Sequence, residues 1–165
     1  GPTNQQAKHA SIHRVDVTSA QEMHTAVHLC FKEMDIAILS AAVADYKPKN
    51  IATQKIKKAA GSLDIELMPT KDILASLGKV KKHQFLVGFA LETNNEIENA
   101  KAKLKRKNLD LIVLNSLKDK GAGFATDTNK ITIIDQDLNK INFELKSKVL
   151  VAEDIIKEII LRVNK

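Results

Sequence analysis

DIAILSAAVADYKPKNIATQKIKK, residues 35–58, sets an unbroken apolar run against a turn of small residues, a single carboxylate and a cluster of lysines. Ile36, Ala37, Ile38 and Leu39 show no polar alternation, the pattern of a strand buried on both faces of a parallel sheet. Residues 40–44 add almost no side-chain bulk, so a ligand can approach the backbone where the strand ends. In open α/β sheets ligands bind beyond the carboxyl ends of the strands. Asp45 stands at that rim, and Lys55, Lys57 and Lys58 follow a loop that contains Pro48.

Upstream, Ile12, Val15 and Val17 suggest a short strand, and Ser19 with Glu22 forms a capping box for a helix. Met23, Ala26, Val27, Cys30 and Met34 recur at helical spacing and are expected to face the sheet, giving a β-α-β unit with a right-handed crossover. Downstream, residues 64–68 alternate as a strand, Thr70 is placed to cap a helix carrying Ile73, Leu74 and Leu77, and Gly78 reads as its stop. Residues 85–90 form another buried strand, and Thr93 or Asn94 caps a helix with Ile97, Ala100 and Leu104 inward. Residues 109–114 give a third apolar strand. Residues 131–134 and 141–145 flank DQDLNK as an antiparallel hairpin, and Ser147 opens a last helix with Val151, Ile155, Ile156, Ile159, Ile160 and Val163 as its apolar stripe. This alternation predicts a single three-layer α/β/α Rossmann-like domain over 1–165, with a mainly parallel sheet and a C-terminal β-hairpin.

A chain of 165 residues buries roughly 70% of its unfolded surface, so a core forms without disulfides. The one cysteine, Cys30, cannot bridge internally, and on the apolar face of a helix it reads as a buried structural thiol in a reducing cytoplasm. No apolar run approaches the ~20 residues that span a bilayer and no leader opens the chain, so no membrane partner is expected. A net charge of +6 admits anionic partners, yet one Tyr, no Trp and five Phe leave few stacking platforms for single-stranded nucleic acid. A small polyanion is the more economical partner.

Asp45 and Lys55 could bind ribose hydroxyls and phosphate oxygens, and they equally fit a turn aspartate and a solvated lysine loop. Lys101, Lys103, Lys105, Arg106 and Lys107 make a second basic group. Lys103 and Lys107 share a helix face, where an anion would relieve their repulsion, while the negative end of their own helix gives them another use. Lys71 and Asp72 open a helix whose free N–H groups can receive phosphate. Residues 121–124, GAGF, are a loop that either closes over a site or simply turns. GxxxxGK[ST] and a GxGxxG after a strand are both missing, which excludes a Walker ATPase and a standard dinucleotide site. His24 and His28 lie one turn apart, but there is no HExxH and no second cysteine, and Cys30 sits about 200° round the helix from His28, so no metal centre is expected. No nucleophile elbow or Cys-His pair is visible.

Taken together, SAAVADY at 40–46, KIKK at 55–58, KDIL at 71–74, VGFALETN at 87–94, KxxxKNxD at 103–110 and GFxxDxN at 123–129 resemble, in order and spacing, the phosphopantothenoylcysteine synthetase (phosphopantothenate-cysteine ligase) family of coenzyme A biosynthesis. The resemblance implies an enzyme that uses CTP in most bacteria, or ATP in eukaryotes, to activate the carboxylate of 4'-phosphopantothenate before the amine of L-cysteine attacks. It implies Mg²⁺ with the CTP, a homodimer whose lysine-bearing loop works beside a partner subunit, and a cytoplasmic setting. By position, Lys55 is the catalytic residue, stabilising charge near the nucleotide. Asp45, Lys55, Lys71, Asp72, Ile73, Leu74, Phe89, Lys103 and Lys107 would bind nucleotide, and Ala41, Ala42, Asp45, Phe124, Asp127 and Asn129 would bind substrate.

Family members begin with a strand, a glycine-rich GGT segment and an asparagine-bearing helix that have no counterpart here, and Gly1-Pro2-Thr3 matches the point after their second strand. The chain is therefore expected to be the C-terminal part of the synthetase domain of a longer bacterial protein, whose parent admits an N-terminal flavoprotein decarboxylase domain. Alone, the piece is expected to be a poor catalyst. Two other readings stand beside it: a basic nucleic-acid-binding module and a non-catalytic nucleotide-binding remnant.

Overall fold

In the computed structural model, which describes residues 6–58, 61–116 and 126–164, the chain runs α1 (Ala20–Phe31), β1 (Ile36–Leu39), β2 (Tyr46–Pro48), β3 (Leu67–Pro69), α2 (Ile73–Val80), β4 (Phe85–Glu92), α3 (Glu96–Arg106), β5 (Leu111–Ser116), β6 (Thr128–Asn129), β7 (Ile131–Asp135), β8 (Lys140–Asn142), β9 (Lys146–Ser147) and α4 (Lys148–Val163). Two compact units form. One comprises Gly1–Leu29 and Ala41–Ile73, the other Cys30–Ser40 and Leu74–Lys165.

The second unit is built on a five-stranded sheet in the order β1-β4-β5-β7-β8. β1, β4 and β5 are parallel, and the hairpin β7-β8 closes the sheet antiparallel. Strand register sorts the apolar side chains by face. Val87 pairs with Leu111, and Val113 with Ile133; these join Val151, Ile155 and Ile159 of α4 in one buried cluster. On the other face Gly88 pairs with Ile112, and a Cβ on Gly88 would stand 2.6 Å from a methyl of Leu74 and 2.8 Å from one of Leu109. Only glycine lets α2 pack so near the strand. α3 shares that side, since its C-cap residue Lys107 lies against Gly78 of α2. Helices thus cover both faces, which is the expected three-layer α/β/α arrangement with a mainly parallel sheet and a hairpin near its end.

One carboxylate ties the amino ends of this sheet together. Asp110 accepts hydrogen bonds from the Leu86 amide at 2.6 Å and the Gln136 side chain at 2.8 Å, and pairs with Lys81 at 2.7 Å. The hairpin turn is closed by Asp135, whose side chain accepts from the Asn139 amide at 2.9 Å, with Leu138 at φ 66°. Ser147 caps α4 by accepting from the Leu150 amide, as its position in the sequence predicts.

Several expectations need correction. The 36–39 strand is not buried on both faces: Ile36 and Ile38 stay 37% and 41% exposed, because among the described residues β1 pairs with β4 alone and is an edge strand. Residues 12–17 form no strand, for three apolar residues without a ladder partner do not hold extended structure. Cys30 is exposed, not buried, since α1 ends on the buried Phe31 and the following turn carries Met34 out of helical register. Of the α4 stripe, Ile156, Ile160 and Val163 remain exposed, lying off the face that meets the sheet. Thr93 and Asn94 do not cap α3, which starts from Asn95 in the left-handed region.

Gly78 does not end α2 either, as the helix continues to Val80. Its role is close approach: a Cβ there would lie 1.9 Å from the carbonyl oxygen of Lys107. Intrinsic helix propensity would make Gly78→Ala stabilising by about 1 kcal/mol, whereas this backbone clash should make it destabilising by ~1–3 kcal/mol. Denaturant unfolding gives the sign, and a Gly78→Ala variant as stable as the parent would refute the packing role.

Candidate functional site

In the first unit the capping box forms as predicted. The Glu22 amide donates to the Ser19 hydroxyl at 3.1 Å, and the Glu22 carboxylate accepts from the amides of Thr18 and Ser19 at 2.7 and 3.2 Å and from the Thr18 hydroxyl at 2.8 Å. These donors, led by the Thr18 amide, hold the Glu22 carboxyl below the usual glutamate range. The box fixes the start of α1 beside a half-open cleft of about 290 Å³ lined by Val17, Thr18, Ser19, Ala20, Met23, Ala41, Ala42 and Val43. Ala41, Ala42 and Val43, small residues after β1, therefore form one wall of a cleft.

Beyond that wall the chain is clamped. The Thr70 amide donates to the Asp45 carbonyl at 2.8 Å, and the Thr70 hydroxyl donates to the Ala44 carbonyl at 2.6 Å. Thr70 thus bonds backward, from the start of the α2 segment to the end of the small-residue turn. The clamp closes the base of the β2-β3 ribbon, whose register pairs Tyr46 with Pro69, and keeps Lys71 and Asp72 next to Asp45 in the fold. Asp45 itself is exposed, and its carboxylate has no partner among the described residues. Lys55 lies on the long ribbon connection, likewise exposed and without a partner among the described residues; Asp45 and Lys55 make no ion pair. Lys49, by contrast, is paired with Glu66 at 2.7 Å.

On α1, the rings of His24 and His28 stack with centroids 4.3 Å apart. Partial burial, then the charges of His28 and Lys71, press His24 toward its neutral form, below the ordinary histidine range. Ile73 is buried and serves packing.

The remaining expected residues belong to the sheet unit. Leu74 is buried against Gly88. Phe89 is partly buried on the α4 face, so its side chain lies on the opposite side of the sheet from α3 with Lys103 and Lys107. Lys103 is held by Glu92 at 3.4 Å, and Glu92 also accepts from Asn99 at 3.2 Å. That anchor was not readable in the sequence, because a strand end and a helix bring together residues with no periodic relation. Asn129 donates to the Asn115 side chain at 3.0 Å, and the Asp127 carbonyl accepts from the Lys148 amide at 2.9 Å, where β6 pairs with β9. Asn115, at the carboxyl end of β5, was missed as well; its place at a strand rim is the signal that could have found it. Phe124 and the GAGF loop lie outside the described residues.

Residues 1–162 match the family of the DNA/pantothenate metabolism flavoprotein C-terminal domain. The chain is 56% identical over 165 residues to a cysteine/cysteine sulfinic acid decarboxylase from an unknown prokaryotic organism, covering 99% of this chain and 46% of that protein. It is 46% identical over 145 residues to the coenzyme A biosynthesis bifunctional protein CoaBC of Bacillus subtilis (strain 168), covering 88% of this chain and 36% of that protein. The crystal structure of the C-terminal domain of a CoaBC protein superposes with a TM-score of 0.79 at 39% identity, covering 99% of this chain and 73% of that one. The chain spans less than half the length of these curated relatives.

The Thr70 clamp carries its own test. Thr70→Val removes one hydrogen bond, about 1 kcal/mol, and should speed hydrogen exchange at the residue 70 amide and along the β2-β3 ladder while leaving the sheet amides protected. Unchanged exchange at that amide would show that the clamp does not hold the ribbon.

Proposed function

This chain belongs to the DNA/pantothenate metabolism flavoprotein C-terminal domain family, and on that premise we propose that it is the nucleotide-binding part of a phosphopantothenate-cysteine ligase acting with CTP. The reading is carried by Asp45 and Lys55, two exposed charges of the decisive stretch that the fold leaves unused among the described residues. A charge that stabilises nothing in the protein is available to a ligand. Supporting it, the chain matches CoaBC proteins across most of its length.

The chemistry asks for charge management. A carboxylate oxygen of 4'-phosphopantothenate attacks the α-phosphorus of CTP, the bond to the β-phosphate breaks, and pyrophosphate leaves. The amine of cysteine, having lost a proton, then attacks the acyl carbon, and CMP departs with the acyl oxygen. Both steps gather negative charge, which fixed cations stabilise most where it develops. Lys55, on an unpaired exposed segment, is the residue for that task. Ala41 and Ala42 line a cleft wall with too little bulk to hinder substrate, and Asp45 is suited to accept hydroxyl hydrogen bonds. Lys71 and Asp72 before α2, and in the sheet unit Lys103, Lys107 and the segment at Phe89, are proposed nucleotide contacts; Asp127 and Asn129 are proposed substrate contacts. A Mg²⁺ carried in with the CTP would be bound mainly by phosphates and water. Such an ion would supply charge neutralisation on the triphosphate.

We further propose a homodimer and a longer parent protein. The ribbon connection exposes Ile51 at 84% along with Ile56, Leu63 and Ile65, apolar surface that a second copy would cover. The name of the decarboxylase relative belongs to a protein matched over 46% of its length and is not carried over.

In the full-length protein bearing these residues, Lys55→Gln should lower pyrophosphate release from CTP and 4'-phosphopantothenate by about 100-fold, an oxyanion-type loss, with stability changed by less than about 0.5 kcal/mol. Turnover within twofold of the parent would remove Lys55 from its role. CTP binding without pyrophosphate release would instead identify a non-catalytic remnant.

A further inference from the structure

Glu92 ends β4 and stands opposite Ser116 in the β4-β5 pairing, at the carboxyl ends of two parallel strands, where open α/β sheets hold their ligands. Its carboxylate turns onto α3. One oxygen faces the Lys103 ammonium at 3.4 Å and the other accepts from the Asn99 side chain at 3.2 Å, two residues one turn apart on the same helix face. The Asn99 amide is fixed in turn, donating to the Asn94 carbonyl at 2.9 Å. As a brace for α3 the pair adds little, since Ala100 and Leu104 already seat that helix in the core and one ion pair of this length is weak. What it does fix is the ammonium. The Lys103 side chain is 24% exposed, whereas Lys101 is tied to Glu98 within α3, and Lys105 and Arg106 stand exposed. A lysine carries three N–H donors, and among the described residues Glu92 is the one partner of this ammonium, so donors remain for a ligand at the rim.

We propose that Glu92 is a positioning residue, which holds Lys103 at the strand rim so that its ammonium meets the phosphates of the nucleotide already ordered. This role rests on the reading of Lys103 as a nucleotide contact. Two effects of the carboxylate oppose each other. As a negative charge near a polyanion it disfavours binding. As a fixed partner it removes the cost of ordering a long, flexible side chain, which is worth about three- to tenfold in affinity. Salt screens the first effect and leaves the second, so at high ionic strength the ordering effect prevails. A residue that merely anchored α3 would act on binding whether or not position 103 carried an ammonium.

The test is a double-mutant cycle on Mg-CTP binding, by calorimetry at about 0.5 M salt, where charges are screened beyond roughly 4 Å. It uses the full-length protein bearing these residues and its Glu92→Gln, Lys103→Met and doubly substituted forms. Glu92→Gln keeps the size of the side chain and an oxygen for Asn99. It should weaken binding by about three- to tenfold where Lys103 is present, and by less than about 1.5-fold in the Lys103→Met background. In the ligand-free protein, NMR relaxation of the Lys103 side-chain methylenes should show them freed by Glu92→Gln. Unchanged or tighter binding in Glu92→Gln, equal weakening in both backgrounds, or a Lys103 side chain as ordered in the variant as in the parent would each overturn the positioning role while leaving the nucleotide reading intact. Lys103→Met binding Mg-CTP as tightly as the parent would remove Lys103 from the nucleotide site, and the role of Glu92 with it.

Discussion

The parallel pairing of β4 with β5 is the constraint from which the rest of the sheet unit follows. Leu86, Val87, Leu111, Ile112 and Val113 are fully buried, so the backbone groups between them cannot turn to water and must be satisfied by one another. Slipping the pair by one residue would exchange the faces, setting side chains where Gly88 admits Leu74 and Leu109 and pulling Val87 and Val113 out of the α4 cluster. Register thus fixes where α2, α3 and α4 lie. Asp110 guards the same register from the end, since its carboxylate bonds the Leu86 amide directly before the first paired residue Val87.

Much of this could be read from residue type. The apolar runs around 36–39, 85–90 and 109–114, the hairpin and the Ser147 cap all appear in place, because each depends on local pattern and burial together. The failures are of another kind. Gly78 looks like a stop signal, and only the nearness of the Lys107 carbonyl, contributed by the end of another helix, explains it. Thr70 has the type of a cap, and only the fold shows that its hydroxyl also donates across the ribbon to Ala44. Cys30 keeps helical periodicity, but periodicity cannot tell where a helix ends relative to the surface it covers. Local chemistry specifies elements, and tertiary proximity decides what their special residues are for.

The lysines show the same division. Lys81 and Lys103 are tied to carboxylates that brace strands or strand ends, and Lys49 holds the ribbon. Lys55 and Asp45 have no such employment among the described residues. Sequence alone offers a lysine-rich loop and a turn aspartate; geometry separates the charges that are structural from those left over. The low bulk of Ala41 and Ala42 was legible in the sequence, whereas the cleft they line and the roles of Glu92 and Asn115 required distances that no spacing rule supplies.

The two borders of the sheet differ in what they offer to other chains. β8 is three residues long, KIN, and its lysine and asparagine make it a poor template. β1 is the reverse: among the described residues it has one neighbour, and it presents Ile36 and Ile38 partly uncovered. Among the described residues, its outward row of backbone donors and acceptors is where a further strand would add to the sheet.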